Sequence, residues 1–286
     1  MKLEIKGHSG CQVDIVNENG QVFVYKSTQK QSYFNRLKLQ GQKQMTASEV
    51  CIPNIRVPEI IDIETKEDSV VLKMPYIYSK SFVSYFEYAG FEQINHLIDA
   101  LCSFLSYEIH KSPMQKVKAS VLQTKFEDVK KNTLNNPHLK GDKEIERIIK
   151  LSSKYFEFAE DMELPIGKCH GDLTFSNILF SGNNYYLIDF LDSFVESPLL
   201  DIVKIRQDSA YLWSELMYSG ECDSTRLKIV ADKIDTEIYN FASQFDWFRY
   251  YKIFQLMNFL RILQYAHEQK VIDYLKNVIN DLLYEF

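Results

Sequence analysis

The segment CHGDLTFSNILF at residues 169–180, which is followed by the turn SGNN and by YYLIDF at residues 185–190, is the most informative part of the chain. Apolar runs on both sides of the turn predict two short strands with polar residues at their ends. Asp172 and Asn177 stand five residues apart on the first arm, and Asp189 directly follows the second strand. We therefore expect three oxygen-bearing side chains to converge.

Three convergent oxygen donors suit phosphoryl transfer. The terminal phosphoryl group of a nucleotide must be held in line with a hydroxyl while Mg²⁺ neutralises charge on its oxygen atoms. Asp172 is predicted to accept the hydrogen bond of the hydroxyl and to take its proton late, and Asn177 and Asp189 are predicted to bind the metal. The order of the three residues resembles the catalytic loop and metal-binding turn of eukaryotic-type kinases.

The pattern H-G-D-x-x-x-x-N, then I-D-F, then P-x-x-D resembles the aminoglycoside phosphotransferase and choline kinase family of small-molecule kinases. These motifs are formed here by His170, Gly171, Asp172, Asn177, Ile188, Asp189, Phe190, Pro198 and Asp201. The resemblance implies a bilobal protein-kinase-like fold, ATP or GTP with Mg²⁺ as cofactors, and Asp172 as catalytic base. It also implies Asn177 and Asp189 as metal ligands and places His170, which bonds the loop in this family, in the catalytic set.

The first 77 residues predict a small α+β lobe. Alternating apolar residues on both sides of the turn at residues 17–20 predict a β-hairpin, and residues 31–47 predict a helix that contains Gly41. Two further strands are predicted at residues 55–63 and 69–76. We expect a five-stranded antiparallel sheet with one helix at residues 1–77.

Residues 78–286 are predicted to form a larger, mainly helical catalytic and substrate lobe. An apolar stripe from residue 91 predicts a buried helix that ends near His110. Residues 121–162 predict two helices separated by Asn135-Asn136-Pro137, and most of the chain after Pro198 is again helical in pattern. Ser197-Pro198 reads as an N-cap followed by a first-turn proline.

The amino-terminal lobe also offers groups for a nucleotide. Gly7, Ser9 and Gly10 precede the hairpin, where small residues let backbone N–H groups approach phosphate oxygens. Lys26 shares the parity of Val22 and Val24 and is therefore predicted to point inward, where an isolated lysine is costly unless it meets an anion. These residues are predicted to bind the phosphates.

The remaining nucleotide contacts are predicted from position. Kinase-like folds pair the strand lysine with a helix glutamate, but residues 37–47 contain no acid, so Gln44 is the best-placed substitute, with Gln40 behind it. Met74, Tyr76 and Ile77 stand where the hinge between lobes is expected, and their backbone is predicted to bind the base.

Composition excludes several other classes. The formal net charge is −6, which opposes a nucleic-acid partner, and no apolar run is long enough for a membrane span or a secretory signal. The five cysteines are scattered without a C-x-x-C pair, which favours neither disulfides nor zinc and fits a reducing cytoplasm.

Several alternatives stay open at this level. The missing helix acid is compatible with a nucleotide-binding pseudokinase that acts as a scaffold. A protein kinase is disfavoured because Asp189 and Pro198 are too close for the usual activation loop. A hydrolase is disfavoured because Ser176 lacks a nucleophile-elbow pattern. The leading hypothesis is a kinase that phosphorylates a hydroxyl of a small molecule, such as a sugar, an amino alcohol or an aminoglycoside. The sequence assigns neither the charge of that molecule nor the oligomeric state of the protein.

Overall fold

A computed structural model describes residues 2–6, as backbone, and residues 11–285 of the chain. The chain forms two compact units. The first comprises Met1–Tyr107, His170–Ser193 and Glu221–Val230, and the second comprises Glu108–Cys169, Phe194–Gly220 and Ala231–Phe286. The lobe boundary at residue 77 stays a prediction.

The described residues contain strands and helices in a mixed order, as expected for an α+β protein. The strands are β1 (Lys2–Lys6), β2 (Gln12–Glu18), β3 (Gln21–Thr28), β4 (Ile55–Arg56), β5 (Asp62–Thr65), β6 (Val70–Pro75), β7 (Met114–Val117), β8 (Met162–Pro165), β9 (Ile178–Ser181) and β10 (Asn184–Leu187). The helices are α1 (Phe34–Ser48), α2 (Phe82–Tyr88), α3 (Phe91–His110), α4 (Ala119–Asn135), α5 (Lys143–Glu157), α6 (Pro198–Ser209), α7 (Trp213–Leu216), α8 (Ser224–Ala242), α9 (Tyr251–Leu263) and α10 (Gln269–Tyr284).

The first unit contains a five-stranded antiparallel sheet, which confirms that prediction. Its strand order is β1-β2-β3-β6-β5, and β3 lies between β2 and β6. The hairpin between β2 and β3 turns through Asn19 and Gly20 at positive φ, and the Gly20 N–H donates to Asn17 Oδ1 at 3.0 Å. Such a turn matches the twist of the two strands and fixes their register. Lys26 is thereby placed on the central strand, opposite Val13 and Leu72.

The single strand predicted at residues 55–63 is wrong. Ile55–Arg56 is a separate two-residue strand that pairs in parallel with β10, whereas Asp62–Thr65 joins the edge of the five-stranded sheet. Pro58 lies between the two strands and has no N–H to donate to a ladder, so this apolar run cannot continue as one strand.

Helix α1 packs against the sheet through a close approach at Gly41. A Cβ added there would lie 2.9 Å from Leu72 Cδ2 and 3.1 Å from Ile63 Cδ1. Leu37, one turn earlier, is fully buried in the same core as Val70. The glycine weakens the helix by roughly 1 kcal/mol relative to alanine, but here it lets the helix sit directly on the sheet.

A second hairpin of the first unit lies between Asn177 and Asp189. β9 and β10 pair antiparallel, and β4 adds to β10. The rings of Phe175 and Phe180, on either side of the start of β9, pack edge-on against Phe86 of α2. This buried aromatic contact anchors the end of the loop that carries Asp172.

The second unit is mainly helical, as predicted. α4 and α5 lie on either side of the predicted breaker, and the Lys276 ammonium of α10 bonds Asp142 at the start of α5 at 2.5 Å. Ser197 Oγ caps α6 by accepting from the Leu199 N–H at 3.3 Å, with Pro198 in the first turn. No helix of the described residues has the length and apolar character needed to cross a membrane.

Candidate active site

The loop at residues 170–177 directly precedes strand β9 in the chain. A 3₁₀ turn at Phe175–Asn177 ends the loop, and the Ile188 N–H donates to the Asn177 carbonyl at 3.0 Å. This bond extends the β9–β10 ladder by one residue pair beyond Leu187 and Ile178. Asn177 is therefore held beside the chain that leads directly into Asp189, although the two residues are twelve positions apart.

Gly171 is the point at which the loop approaches the segment after Asp189. The Leu191 N–H donates to the His170 carbonyl at 2.9 Å. Gly171 has a φ of +89°, and a Cβ added there would lie 2.2 Å from the Leu191 carbonyl oxygen. Both the backbone conformation and the lack of space exclude a side chain, which explains the glycine of the His-Gly-Asp motif.

His170 is fully buried and holds the loop from inside. Its Nδ1 accepts from the Asp172 N–H at 3.2 Å, so the proton must lie on Nε2, which donates to the Ile188 carbonyl at 2.8 Å. Burial lowers the pKa of His170 to about 4, and the neighbouring Lys43 also lowers it, while Asp172 and Asp189 oppose the shift. The imidazole is thus neutral, and both nitrogen atoms are used by backbone groups.

The structure shows His170 as a support of the backbone: its two nitrogen atoms bond the loop and the chain after β10. A catalytic role for His170 stays a prediction. The role that the resemblance implied, a histidine that bonds the loop, agrees with these contacts.

Asp172 and Asn177 are brought together as predicted. The Asn177 Nδ2 donates to the Asp172 carbonyl oxygen at 2.8 Å and to its carboxylate Oδ2 at 3.0 Å. Because both bonds are made by the amide nitrogen, the amide oxygen Oδ1 is the atom of the Asn177 side chain that can accept a bond or bind a cation. The Asp172 side chain is half-buried, so it is both fixed and accessible.

Lys26 and Asp189 form an ion pair within the first unit. Lys26 Nζ lies 3.0 Å from Asp189 Oδ1, and the lysine side chain is 8% exposed against 44% for the aspartate. Burial by itself lowers the pKa of Lys26, but the charge of Asp189 and its hydrogen bond outweigh burial and leave that pKa raised. The inward lysine predicted from parity therefore carries its charge and meets an anion.

Asp189 adopts a left-handed backbone conformation, with φ of 63°. Asp tolerates this region better than most residues, yet it is strained and persists only where the surroundings impose it. Phe190, the next residue, is buried with its ring 4.2 Å from that of His170. The turn at Asp189 is thus held by packing on one side and by Lys26 on the other.

Gln44 is not placed as predicted. Its Nε2 donates to the Pro58 carbonyl at 2.8 Å and contacts Met74 Sδ at 3.8 Å, whereas Lys26 is paired with Asp189. The buried amide of Gln44 therefore ties α1 to the chain before β5. Lys26 therefore has Asp189, and not a residue of α1, as its anionic partner.

The hinge residues divide into two kinds. The Tyr76 N–H donates to the Val22 carbonyl at 3.0 Å, and Met74 lies opposite Val24 inside the ladder, so the sheet already uses backbone groups of both residues. Within the described parts of the chain, no hydrogen bond is made by the Ile77 N–H. Of the predicted hinge residues, Ile77 has the available donor. Gly7, Ser9 and Gly10 lie outside the described residues.

Sequence reasoning missed two cations of α1 that reach the segment after Asp189. Lys43 Nζ donates to the Leu191 carbonyl at 2.6 Å, and Arg36 Nε pairs with Asp192 Oδ1 at 2.9 Å. Their spacing of seven residues on one helix was a usable signal, since residues at this spacing share a face. The partners, however, come from a distant part of the chain.

The oxygen donors fit a divalent cation of the magnesium type. Asn177 Oδ1 and the carboxylate of Asp189 could supply a neutral and a charged ligand, and the Asp189 side chain is 44% exposed. Across residues 2–6 and 11–285, no group of three His, Cys, Asp or Glu side chains forms a metal cluster. Mg²⁺ commonly uses one or two protein ligands and completes its shell with phosphate and water oxygens.

A strand lysine, followed along the chain by a His-Gly-Asp loop and then by a turn aspartate, is the arrangement typical of protein-kinase-like phosphotransferases. The fold of this chain is of that class. The sequence model of the phosphotransferase enzyme family, APH, matches residues 42–220, more than half of the chain, and the chain belongs to this family.

Solved structures with the same fold cover almost the whole chain. A thermostable mutant of aminoglycoside phosphotransferase APH(4)-Ia in its apo form aligns with a TM-score of 0.65 at 8% identity, over 100% of this chain and 94% of that chain. The GDP and kanamycin complex of APH(2")-IIIa aligns with a TM-score of 0.62 at 13% identity, over 100% and 93%.

A third structure, amicoumacin kinase hAmiN in complex with AMP-PNP, Ca²⁺ and Ami, aligns with a TM-score of 0.63 at 11% identity, over 99% and 88% of the two chains. The search of curated protein sequences found no match to this chain.

Proposed function

We propose that this protein transfers the terminal phosphoryl group of ATP or GTP to a hydroxyl group of a small molecule in a Mg²⁺-dependent reaction. The observation that carries the proposal is the arrangement of Asp172, Asn177, Asp189 and Lys26. A carboxylate fixed by an amide lies in the same compact unit as a second carboxylate paired with a buried lysine.

Asp172 is the catalytic base of the proposed reaction. Its carboxylate accepts the hydrogen bond of the incoming hydroxyl and orients the oxygen toward the terminal phosphorus. As the oxygen–phosphorus bond forms and the bond to the departing nucleoside diphosphate breaks, the hydroxyl proton passes to Asp172. Asn177 keeps the carboxylate in one orientation through its bond to Oδ2.

Asn177 and Asp189 are the residues that would hold Mg²⁺. When bound, the metal would neutralise charge on the phosphate oxygens of the nucleotide. Lys26 supplies a second, fixed positive charge, which burial strengthens because fewer water molecules screen it. Its ammonium can turn from Asp189 to a phosphate when the nucleotide arrives, because both partners are anionic.

The proposed acceptor is a sugar, an amino alcohol or an aminoglycoside-like alcohol. Structures of the same fold hold kanamycin in one case and Ami in another, and their nucleotides are GDP and AMP-PNP. Both ATP and GTP therefore belong in a test of this protein.

A direct test incubates the purified protein with Mg²⁺ and ATP or GTP against a panel of these alcohols. Mass spectrometry then detects the gain of one phosphoryl group on an acceptor. A phosphorylated product that disappears with EDTA supports the proposal. Metal-dependent nucleotide binding without any product across the panel instead supports the pseudokinase alternative, which is favoured by the absence of Asp and Glu from α1.

A further inference from the structure

Helix α1 presents cations rather than an acid to the metal-binding segment. It contains no Asp or Glu, and two of its basic residues contact the three-residue stretch that follows Asp189. Arg36 pairs with Asp192, and Lys43 donates to the Leu191 carbonyl. The helix is therefore linked directly to the segment that places Asp189.

The two contacts differ in strength. The Arg36 and Asp192 side chains are 43% and 51% exposed, and an exposed pair of this kind contributes little. The Lys43 bond is short at 2.6 Å and half-buried, and it joins a full charge to a backbone carbonyl. Charge-assisted bonds of this type are roughly twice as strong as neutral ones. Lys43 is the contact that can hold the backbone.

Lys43 reaches the point where the catalytic loop meets this segment. A Cβ added to Gly171 would lie 3.4 Å from Lys43 Nζ as well as against the Leu191 carbonyl. The same Leu191 donates its N–H to the His170 carbonyl. Leu191 is thus bonded through its N–H to the loop and through its carbonyl to α1.

Asp189 lies two residues before Leu191 in a strained backbone conformation. Such a conformation requires its flanking residues to be held, since an untethered chain would relax to a more favourable φ. Phe190 is fixed by packing on His170, and Leu191 is fixed by the two bonds described above.

From these contacts we propose that Lys43 is a positioning residue. By holding the Leu191 carbonyl, it fixes the turn that aims Asp189 at the metal. Lys43 thereby links the metal site to α1, a helix that contains no Asp or Glu. This inference rests on the proposed function, because it assigns Asp189 to a metal–nucleotide complex. It assigns Lys43 no contact with the substrates.

The test separates metal-dependent from metal-independent nucleotide binding. Binding of a fluorescent N-methylanthraniloyl ATP is titrated with Mg²⁺ and again with EDTA for the wild type, Lys43→Met, Lys43→Arg and Lys38→Met. Lys38 is the matched control, since it is a partly exposed lysine of α1 whose side chain makes no hydrogen bond or ion pair with any described residue. Thermal unfolding of each variant verifies that it is folded.

We expect Lys43→Met to lose about tenfold to a hundredfold of the Mg²⁺-dependent affinity, the range typical of lost support behind a metal ligand, and to keep its affinity in EDTA. Lys43→Arg should recover part of the loss because it keeps a charged donor, and Lys38→Met should match the wild type. In turnover, kcat should fall in Lys43→Met with the KM for the acceptor unchanged.

Two results overturn the inference while leaving the proposed function intact. One is a Lys43→Met protein whose Mg²⁺ dependence equals that of Lys38→Met. The other is an equal loss of affinity with and without metal, which would mean that Lys43 binds the phosphates itself. A wild-type protein that binds no nucleotide under either condition would overturn the proposed function and this inference together.

Discussion

The ammonium of Lys26 lies 3.0 Å from the carboxylate of Asp189, although 163 residues separate them in the chain. The bond joins the central strand of the antiparallel sheet to the turn after β10. The two partners differ in burial, since the lysine side chain is 8% exposed and the aspartate side chain is 44% exposed. This inequality has consequences for mutation at either end.

Asp189→Ala should destabilise the protein more than Lys26→Met. The first change leaves a buried ammonium without its counter-ion, a cost of about 1–3 kcal/mol for an unsatisfied buried group and more when it is charged. The second leaves a carboxylate that water can reach. Urea unfolding at pH 7 measures the difference, and equal losses for the two variants would show that the ammonium finds another partner.

The same two variants should differ in ligand binding. Asp189→Ala should abolish the Mg²⁺-dependent part of nucleotide affinity, because it removes the proposed charged metal ligand. Lys26→Met should weaken binding in EDTA as well, since it removes the cation that we propose to bind a phosphate. Isothermal titration with ATP, with and without Mg²⁺, separates the two effects. Retained metal dependence in Asp189→Ala would remove Asp189 from the metal site.

Asp172→Asn should lower kcat by about 10²- to 10⁴-fold, the usual contribution of a positioned base. The change keeps the size of the side chain and its carbonyl acceptor, so nucleotide affinity should stay within about twofold of the wild type, well below the effect of losing the base. Asp128→Asn, at an exposed position of α4, is a matched control that should retain full turnover. Steady-state kinetics with the acceptor found in the panel measures both. Near-normal turnover in Asp172→Asn would exclude this residue as the base.

Gly171→Ala should be far more destabilising than Gly20→Ala. The two glycines have nearly the same φ, +89° and +88°, so the conformational cost of alanine is matched. Only at Gly171 would the new Cβ meet backbone, the Leu191 carbonyl at 2.2 Å, whereas nothing lies within 4 Å at Gly20. We expect about 1 kcal/mol for the turn glycine and several more for Gly171, measured by urea unfolding. Similar losses would mean that the two segments can move apart freely.

The buried His170 should make stability depend on pH. Its pKa is about 4 in the folded protein and near 6.5 when unfolded, so the unfolded chain binds the proton more readily. Stability from this residue is complete above pH 6.5 and is lost as the pH falls through 4. Between pH 7 and pH 5 the loss is about 2 kcal/mol.

His170→Gln is the variant that isolates this effect. It should be less stable than the wild type at pH 7, because one of the two hydrogen bonds of His170 is lost. Between pH 7 and pH 5, however, its free energy of unfolding should fall by about 2 kcal/mol less than that of the wild type. Urea unfolding at pH 7, 6 and 5 provides the comparison, in which the remaining histidines cancel. An unchanged pH dependence in His170→Gln would mean that the imidazole becomes charged within the folded protein.

Local patterns were sufficient for much of the fold. Alternation and turn chemistry predicted the hairpin that carries Lys26, and helical periodicity predicted α1, α3 and the paired helices α4 and α5. These elements depend on neighbours two to four residues away, which are visible in the sequence. The prediction for residues 55–63 failed because the two halves of this run join different sheets: Ile55–Arg56 pairs with the distant strand β10, whereas Asp62–Thr65 pairs with the next strand along the chain, β6.

The residue types and spacing of Asp172, Asn177 and Asp189 were also readable in advance, since a hairpin with polar residues at its ends has few ways to place them. The partners of Lys26 and Gln44 were not readable. Each has several polar groups within reach in an unfolded chain, and the choice among them depends on which segments come to lie side by side.

The amino-acid sequence alone therefore determined the class of fold, the loop that carries Asp172 and Asn177, and the inward-facing lysine, because these follow from short-range backbone preferences and from chemistry held within a few residues. Only the tertiary structure decided that Asp189 meets Lys26, that His170 is a neutral support and that Lys43 reaches Leu191. These contacts join segments more than a hundred residues apart or depend on complete burial, and both are properties of the packed chain.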